Sequence, residues 1–204
     1  MKSRVLSFAS LASPLARSQT QAIIDQIQEH LPRVTCQLNV LPTPIKDRDK
    51  AKEIFVAMSQ AEVQYLEQVL LKEQARLVVV EAADMVVPLP EGLAIACVPN
   101  RTAPFDAFLN QQGLIMDEMD DGGHVGVMSM RSRSQMSALW PDLNFKILGG
   151  GVDKAMETHM HKSEIDGLVL PAAVTEHLGI QGIVAEIFAP EFVLPSPGQG
   201  ILVI

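Results

Sequence analysis

Residues 1–80 alternate short apolar runs with amphipathic stretches, and that order is the strongest constraint on what the chain can fold into. Val5–Ala9 reads as a strand. Ser13-Pro14 then opens a helix, with serine as N-cap and proline where the first turn leaves its N–H unused. Ile23, Ile24, Ile27 and Leu31 give that helix an apolar face, to about His30. Val34–Leu41 reads as a second strand, followed by the polar, charged connection TPIKDRDKAK. Ala61–Lys72 sets Val63, Leu66, Val69 and Leu70 at helical spacing, and Leu77–Val80 reads as a strand buried on both faces. A β-α-β-α-β order implies a largely parallel sheet with helices covering its faces.

From about Pro99 the pattern restarts. Val125–Val127 is a predicted strand, Ser129 begins a helix to Leu139, and Asn144–Leu148 is a strand. LGGG then turns into a helix over Val152–His161, Leu168–Pro171 is a strand, and Thr175–Leu178 starts another helical turn. The fold class expected is α/β: two lobes of β-α-β-α-β type with a cleft between them. Ligands of open α/β sheets gather at the carboxyl ends of the strands. Asp84, the aspartate in VVVEAADMVVPLPEGL, sits just beyond such an end. An unpartnered buried carboxylate is costly, so its pKa should rise unless a cation stands nearby.

Composition excludes several classes of function. A net charge of −8 and 4% aromatic residues argue against a phosphate backbone or stacked bases as partner. No run reaches the ~18 apolar residues a membrane span requires. The N-terminal MKSRVLSFASLASPLA has the basic and small residues of a secretory signal, but Ser7, Ser10 and Ser13 interrupt its apolar part. Cys36 and Cys97 lie far apart without CxxC spacing, which fits a reducing compartment and neither a disulfide framework nor a zinc site. A cytoplasmic location is the expectation.

Three loop-to-helix junctions are candidate anion sites. In GVMSMRSR, Ser129 heads a helix with Arg131 and Arg133 near its first turn. In LGGGVDK, Gly150 and Gly151 expose backbone N–H groups beside Lys154. In LPSPGQG, Gly198 and Gln199 form a further backbone-exposing turn. His159 and His161 invite a metal reading, but positions i and i+2 do not share a helix face, so an exposed helix end is the expectation and no metal is expected. Met128, Met130 and Met136 read as core filler. No GxSxG, HExxH or Walker pattern is present.

Taken in order, these segments resemble one family, hydroxymethylbilane synthase or porphobilinogen deaminase of tetrapyrrole biosynthesis. The resemblance rests on SPLARSQ at 13–19, DMVVPLPEGL at 84–93, Arg101 with PFDAF at 104–108, and VGVMSMRSRSQM at 125–136. It continues through LGGGV at 148–152, EIDGLVLPAAVTEHLG at 164–179 and LPSPGQG at 194–200. It implies a fold like type II periplasmic binding proteins, with residues 1–99 plus 196–204 as domain 1 and 100–195 as domain 2. The family adds a third domain whose cysteine holds a dipyrromethane cofactor; the sequence stops at Ile204, before it, so no cofactor is expected here.

The resemblance also gives Asp84 the position of the family's catalytic aspartate. Each porphobilinogen brings an acetate and a propionate, which the family meets with many cations. Here the family's first-strand arginine is Leu11, and lysines of its lid and following helix are Phe55, Ser59 and Gln64. Its HSxKD is Val80-Glu81-Ala82-Ala83-Asp84, its second paired arginine is Ser132 beside a retained Arg131, and further arginines are Gly149, Ala155 and Glu176. The expectation is a non-catalytic or repurposed homologue that binds a small anionic ligand, a tetrapyrrole or a protein partner at the old cleft, with no nucleic acid or membrane partner. The alternatives are an active minimal hydroxymethylbilane synthase, with Arg131 and Arg133 gripping substrate, and a solute- or tetrapyrrole-binding module.

Overall fold

A computed structural model describes residues 4–45, 57–160 and 164–204, and it has the two-lobed α/β form. In the first lobe, β1 (Arg4–Leu11), β2 (Val34–Leu41) and β3 (Leu77–Val78) make a parallel sheet in the order β2-β1-β3. The helix α1 (Pro14–His30) connects β1 to β2. Its N-cap Ser13 accepts from the Ala16 N–H, and it buries Leu15, Ala16, Gln19, Thr20, Ile23 and Ile24. The helix α2 (Gln60–Leu71) opens on a capping box in which Ser59 and Glu62 each hold the other's backbone N–H.

The strand expected over Leu77–Val80 is divided. Its first half pairs with β1, and β4 (Val80–Glu81) pairs antiparallel with β10 (Leu202–Val203), from the other end of the chain. The division follows from backbone hydrogen bonding, because the two halves find partners in different sheets.

The second lobe holds β5 (Asp106–Leu109), β6 (His124–Val127), β7 (Asn144–Ile147), β8 (Gly167–Pro171) and β9 (Val184–Ile187). Their order is β7-β6-β8-β5-β9. Three of them repeat the first lobe: β6 is parallel to both β7 and β8. One departs from the expectation of a largely parallel sheet: β5 runs antiparallel to both β8 and β9, which themselves point the same way. The helices are α3 (Met130–Leu139), α4 (Gly151–Met160) and α5 (Ala172–Leu178). The last extends the single turn expected at Thr175, and it ends on Gly179 with a left-handed φ of 67°.

The lobes touch through α1 and α5, where the Ser18 hydroxyl donates to the His177 carbonyl oxygen. One apolar cluster runs through both lobes and includes Leu11, Leu15, Met58 and Val63 of the first with Leu109, Ala155, Leu170 and Ala172 of the second. Met128 and Met136 are core residues as expected, but Met130 is 56% exposed. It is the first residue of α3, at the helix end, where no neighbouring element covers it. Among the described residues no helix is long and apolar enough to cross a membrane.

Candidate functional site

Asp84 lies in the turn that follows β4, its N–H donating to the Glu81 carbonyl at 2.9 Å. Its Oδ2 accepts the Met58 N–H at 3.1 Å. Among the described residues, the charged groups that act on it are acids. Glu81 is buried and its Oε1 accepts the Gly200 N–H at 2.9 Å. Glu62, buried at the head of α2, accepts the Ser59 N–H and hydroxyl and the Thr43 hydroxyl. Burial, first, and the Glu81 charge, second, push the Asp84 carboxyl up to about 7, with Glu62 adding to the rise and the Met58 N–H opposing it. Burial likewise raises Glu81. Near neutral pH Asp84 can therefore give or take a proton.

The second set of sequence-selected residues is arranged oppositely. Arg131 does not face an open anion site. Its Nη2 donates to Asp106 Oδ2 at 2.6 Å, its Nη1 to the Leu194 carbonyl at 2.6 Å, and its Nε to the Ser196 hydroxyl at 3.0 Å. The Asp106 side chain is 1% exposed and that of Arg131 23%. Gln199 completes the arrangement, its Nε2 donating to Asp106 Oδ1 at 2.8 Å and its Oε1 accepting the Ser196 N–H at 3.0 Å. The Arg101 Nε donates to the Gln199 carbonyl at 3.0 Å. These groups bind together the two stretches by which the chain passes between lobes. Arg131 and Gln199, selected from the sequence as anion ligands, thus both hold an anion of the chain itself, the buried Asp106 carboxylate, whose charge would cost several kcal/mol unpaired.

The other candidates are spread out. Ser129 caps α3 by accepting the Ser132 N–H at 2.9 Å. Arg133 is exposed on α3. Gly150 and Gly151 are buried with φ of 89° and 81°, and Lys154 is half-buried on α4. Gly198 joins the two arrangements, since a Cβ there would stand 2.9 Å from the Ala83 nitrogen and 3.0 Å from the Ala82 carbonyl carbon. His159 is not at an exposed helix end as expected: it is 2% exposed, because the last turn of α4 packs on its own lobe. His161 and Phe55 lie outside the described residues. No group of three or more metal-binding side chains converges among the described residues.

A family model described as porphobilinogen deaminase, dipyrromethane cofactor binding domain, matches residues 6–204. This chain belongs to the porphobilinogen deaminase family. The porphobilinogen deaminase of Bacillus subtilis is 31% identical over 205 residues, which cover 98% of this chain and 64% of that protein. That of Nitratidesulfovibrio vulgaris is 35% identical over 201 residues, covering 97% and 62%. The chain thus spans under two thirds of the length of these relatives. Among solved structures, the substrate-binding domain of a putative molybdenum ABC transporter from Clostridium difficile matches 98% of this chain and 84% of its own, at a TM-score of 0.58 and 12% identity. A Bordetella pertussis BvgS VFT2 domain matches 98% and 78%, at 0.50 and 13%. Both likenesses concern the fold alone, and it is that of the type II periplasmic binding proteins.

The positions where the resemblance has arginine or lysine hold residues with other surroundings here. Leu11 and Ala155 are buried at 1% and 0% exposure in the apolar cluster shared by both lobes. Ser59 caps α2, Ser132 is buried beside Arg131, and Gln64 and Glu176 face solvent. Sequence reasoning missed Asp106 and Glu62 as members of the site. The S-x-x-E spacing of Ser59 and Glu62 was a readable signal for the second, and PFDAF contained the first.

Proposed function

We propose that this porphobilinogen deaminase-family chain does not carry out the deaminating polymerisation of porphobilinogen, and that its old cleft serves as a binding surface for a small ligand or a protein partner. The observation that carries the reading is Leu11 and Ala155, packed at the arginine positions of the resemblance into one apolar cluster spanning both lobes. A dipyrromethane group carries the acetates and propionates of two pyrroles and requires cations. The described residues do not fit it: Asp84 is surrounded by Glu81 and Glu62, and Arg131 is already neutralised by Asp106. Domain 1 is then residues 1–99 with 196–204 and domain 2 residues 100–195, and the unpaired Cys36 and Cys97 suit a cytoplasmic setting.

Incubation with porphobilinogen, followed by intact mass and absorbance, is the test. No adduct and no tetrapyrrole product are expected; a covalent dipyrromethane or a porphyrin chromophore would overturn the reading. Thermal shifts with porphobilinogen, porphyrins, haem and organic acids then separate a small-ligand role, which stabilises the fold, from a protein-interaction role, which leaves it unmoved. A minimal synthase is the second reading, favoured by the Asp84 carboxyl near neutrality. It requires that the wild type consume porphobilinogen and that Asp84→Ala abolish turnover while the fold persists.

A further inference from the structure

A cavity of about 480 Å³ opens in the second lobe at the amino ends of β6 and β8, the end of the sheet opposite Arg131. Its wall carries three carboxylates, Asp120, Asp121 and Asp166, and the amide side chains of Asn110, Gln111 and Gln112, with no lysine or arginine among the described lining residues. Asp166 Oδ2 accepts the His124 N–H at 2.8 Å, whereas the side chains of Asp120 and Asp121 make no hydrogen bond or ion pair with described residues. His159 belongs to the same wall. It is 2% exposed, and neither ring nitrogen has a hydrogen-bond partner. Burial outweighs the Ile165 backbone and the Asp166 charge, which both favour the protonated ring. Burial lowers the His159 pKa and keeps the imidazole neutral, so one nitrogen is an acceptor and the other a donor. A buried imidazole with both nitrogens idle is costly unless something supplies their partners.

We propose that this cavity binds a small organic diamine or polyamine, its ammonium groups on Asp120, Asp121 and Asp166 and one N–H donated to His159. The charge of the wall selects a cation. Its geometry selects an extended one: no three ligating groups converge on a point that a metal ion could occupy among the described residues. Separated carboxylates around a cavity of this size match separated charges on a flexible chain.

The chain's net charge of −8 attracts any cation, so the experiment must distinguish the site from the surface. Calorimetric titration of the whole chain with 1,4-diaminobutane and spermidine is paired with ¹⁵N NMR of the imidazoles. Binding is expected for both amines, with the His159 ring resonances shifting, and neither 1,4-butanediol nor magnesium at matched charge should move them. Asp120→Asn with Asp121→Asn, both at exposed positions, should weaken binding tenfold or more. No binding at millimolar amine, unchanged affinity in that double variant, or binding that leaves His159 unmoved would each overturn the proposal.

Discussion

Asp106 and Asp84 are two acids of the same molecule held in opposite ways. Asp106 meets a guanidinium at 2.6 Å and an amide at 2.8 Å, so its negative charge is neutralised and hydrogen-bonded. Asp84 meets one backbone N–H and two further carboxylates, and its carboxyl rises to about 7. Burial desolvates both, so the neighbours decide the outcome. The first arrangement holds the interlobe crossings together. The second retains its proton to about neutral pH.

The largest effect should come from breaking the paired side. Arg131→Ala leaves Asp106 buried without its cation, and equilibrium urea denaturation should register a loss of about 3–5 kcal/mol. A loss below ~1 kcal/mol would mean that water reaches Asp106 and the contrast with Asp84 is weaker than described. Gly198→Ala strikes where the two arrangements touch. A left-handed φ of 78° and backbone atoms at 2.9–3.0 Å leave a methyl no room, so about 1–3 kcal/mol should be lost by the same measurement.

The unpaired side is probed by Asp84→Asn. Below pH ~4 the carboxyl is protonated in both folded and unfolded chains. Between 3.8 and about 7 only the folded chain keeps the proton, so wild-type stability falls as pH rises through that window. The variant lacks this fall and should exceed the wild type at pH ~8 by on the order of 2 kcal/mol, the full shift being discounted for the partial exposure of Asp84. Parallel pH–stability curves for the two proteins would remove the basis for the comparison. Ser59→Ala is the gentlest change: loss of the α2 cap should cost about 1 kcal/mol. By loosening the adjacent Met58 donor, it should also move the Asp84 titration, followed by ¹³C NMR, further upward.

What could be read from the sequence was local. Ser13-Pro14 and Ser129 announced their helices because capping chemistry acts within three residues. The parallel strands β1, β2, β6, β7 and β8 were legible as short apolar runs. What escaped depends on remote partners. The strand β5 begins with the charged Asp106, which reads as polar until Arg131 is known to cover it. The two-residue β10 exists only because β4 lies opposite. Glu81 could be named as an unfavourable neighbour of Asp84 from adjacency alone. Glu62 could not, because it arrives from α2, whose packing brings it near.

The pairing of β10 with β4 has a consequence for synthesis. A ribosome makes residues 80–81 early but their strand partner, 202–203, some 120 residues later, whereas the sheet containing β5 to β9 needs nothing beyond residue 187. The β2-β1-β3 sheet likewise has all its strands by residue 78. The β4–β10 ladder is therefore the last to close, and it closes only when the nascent chain returns to the lobe it began.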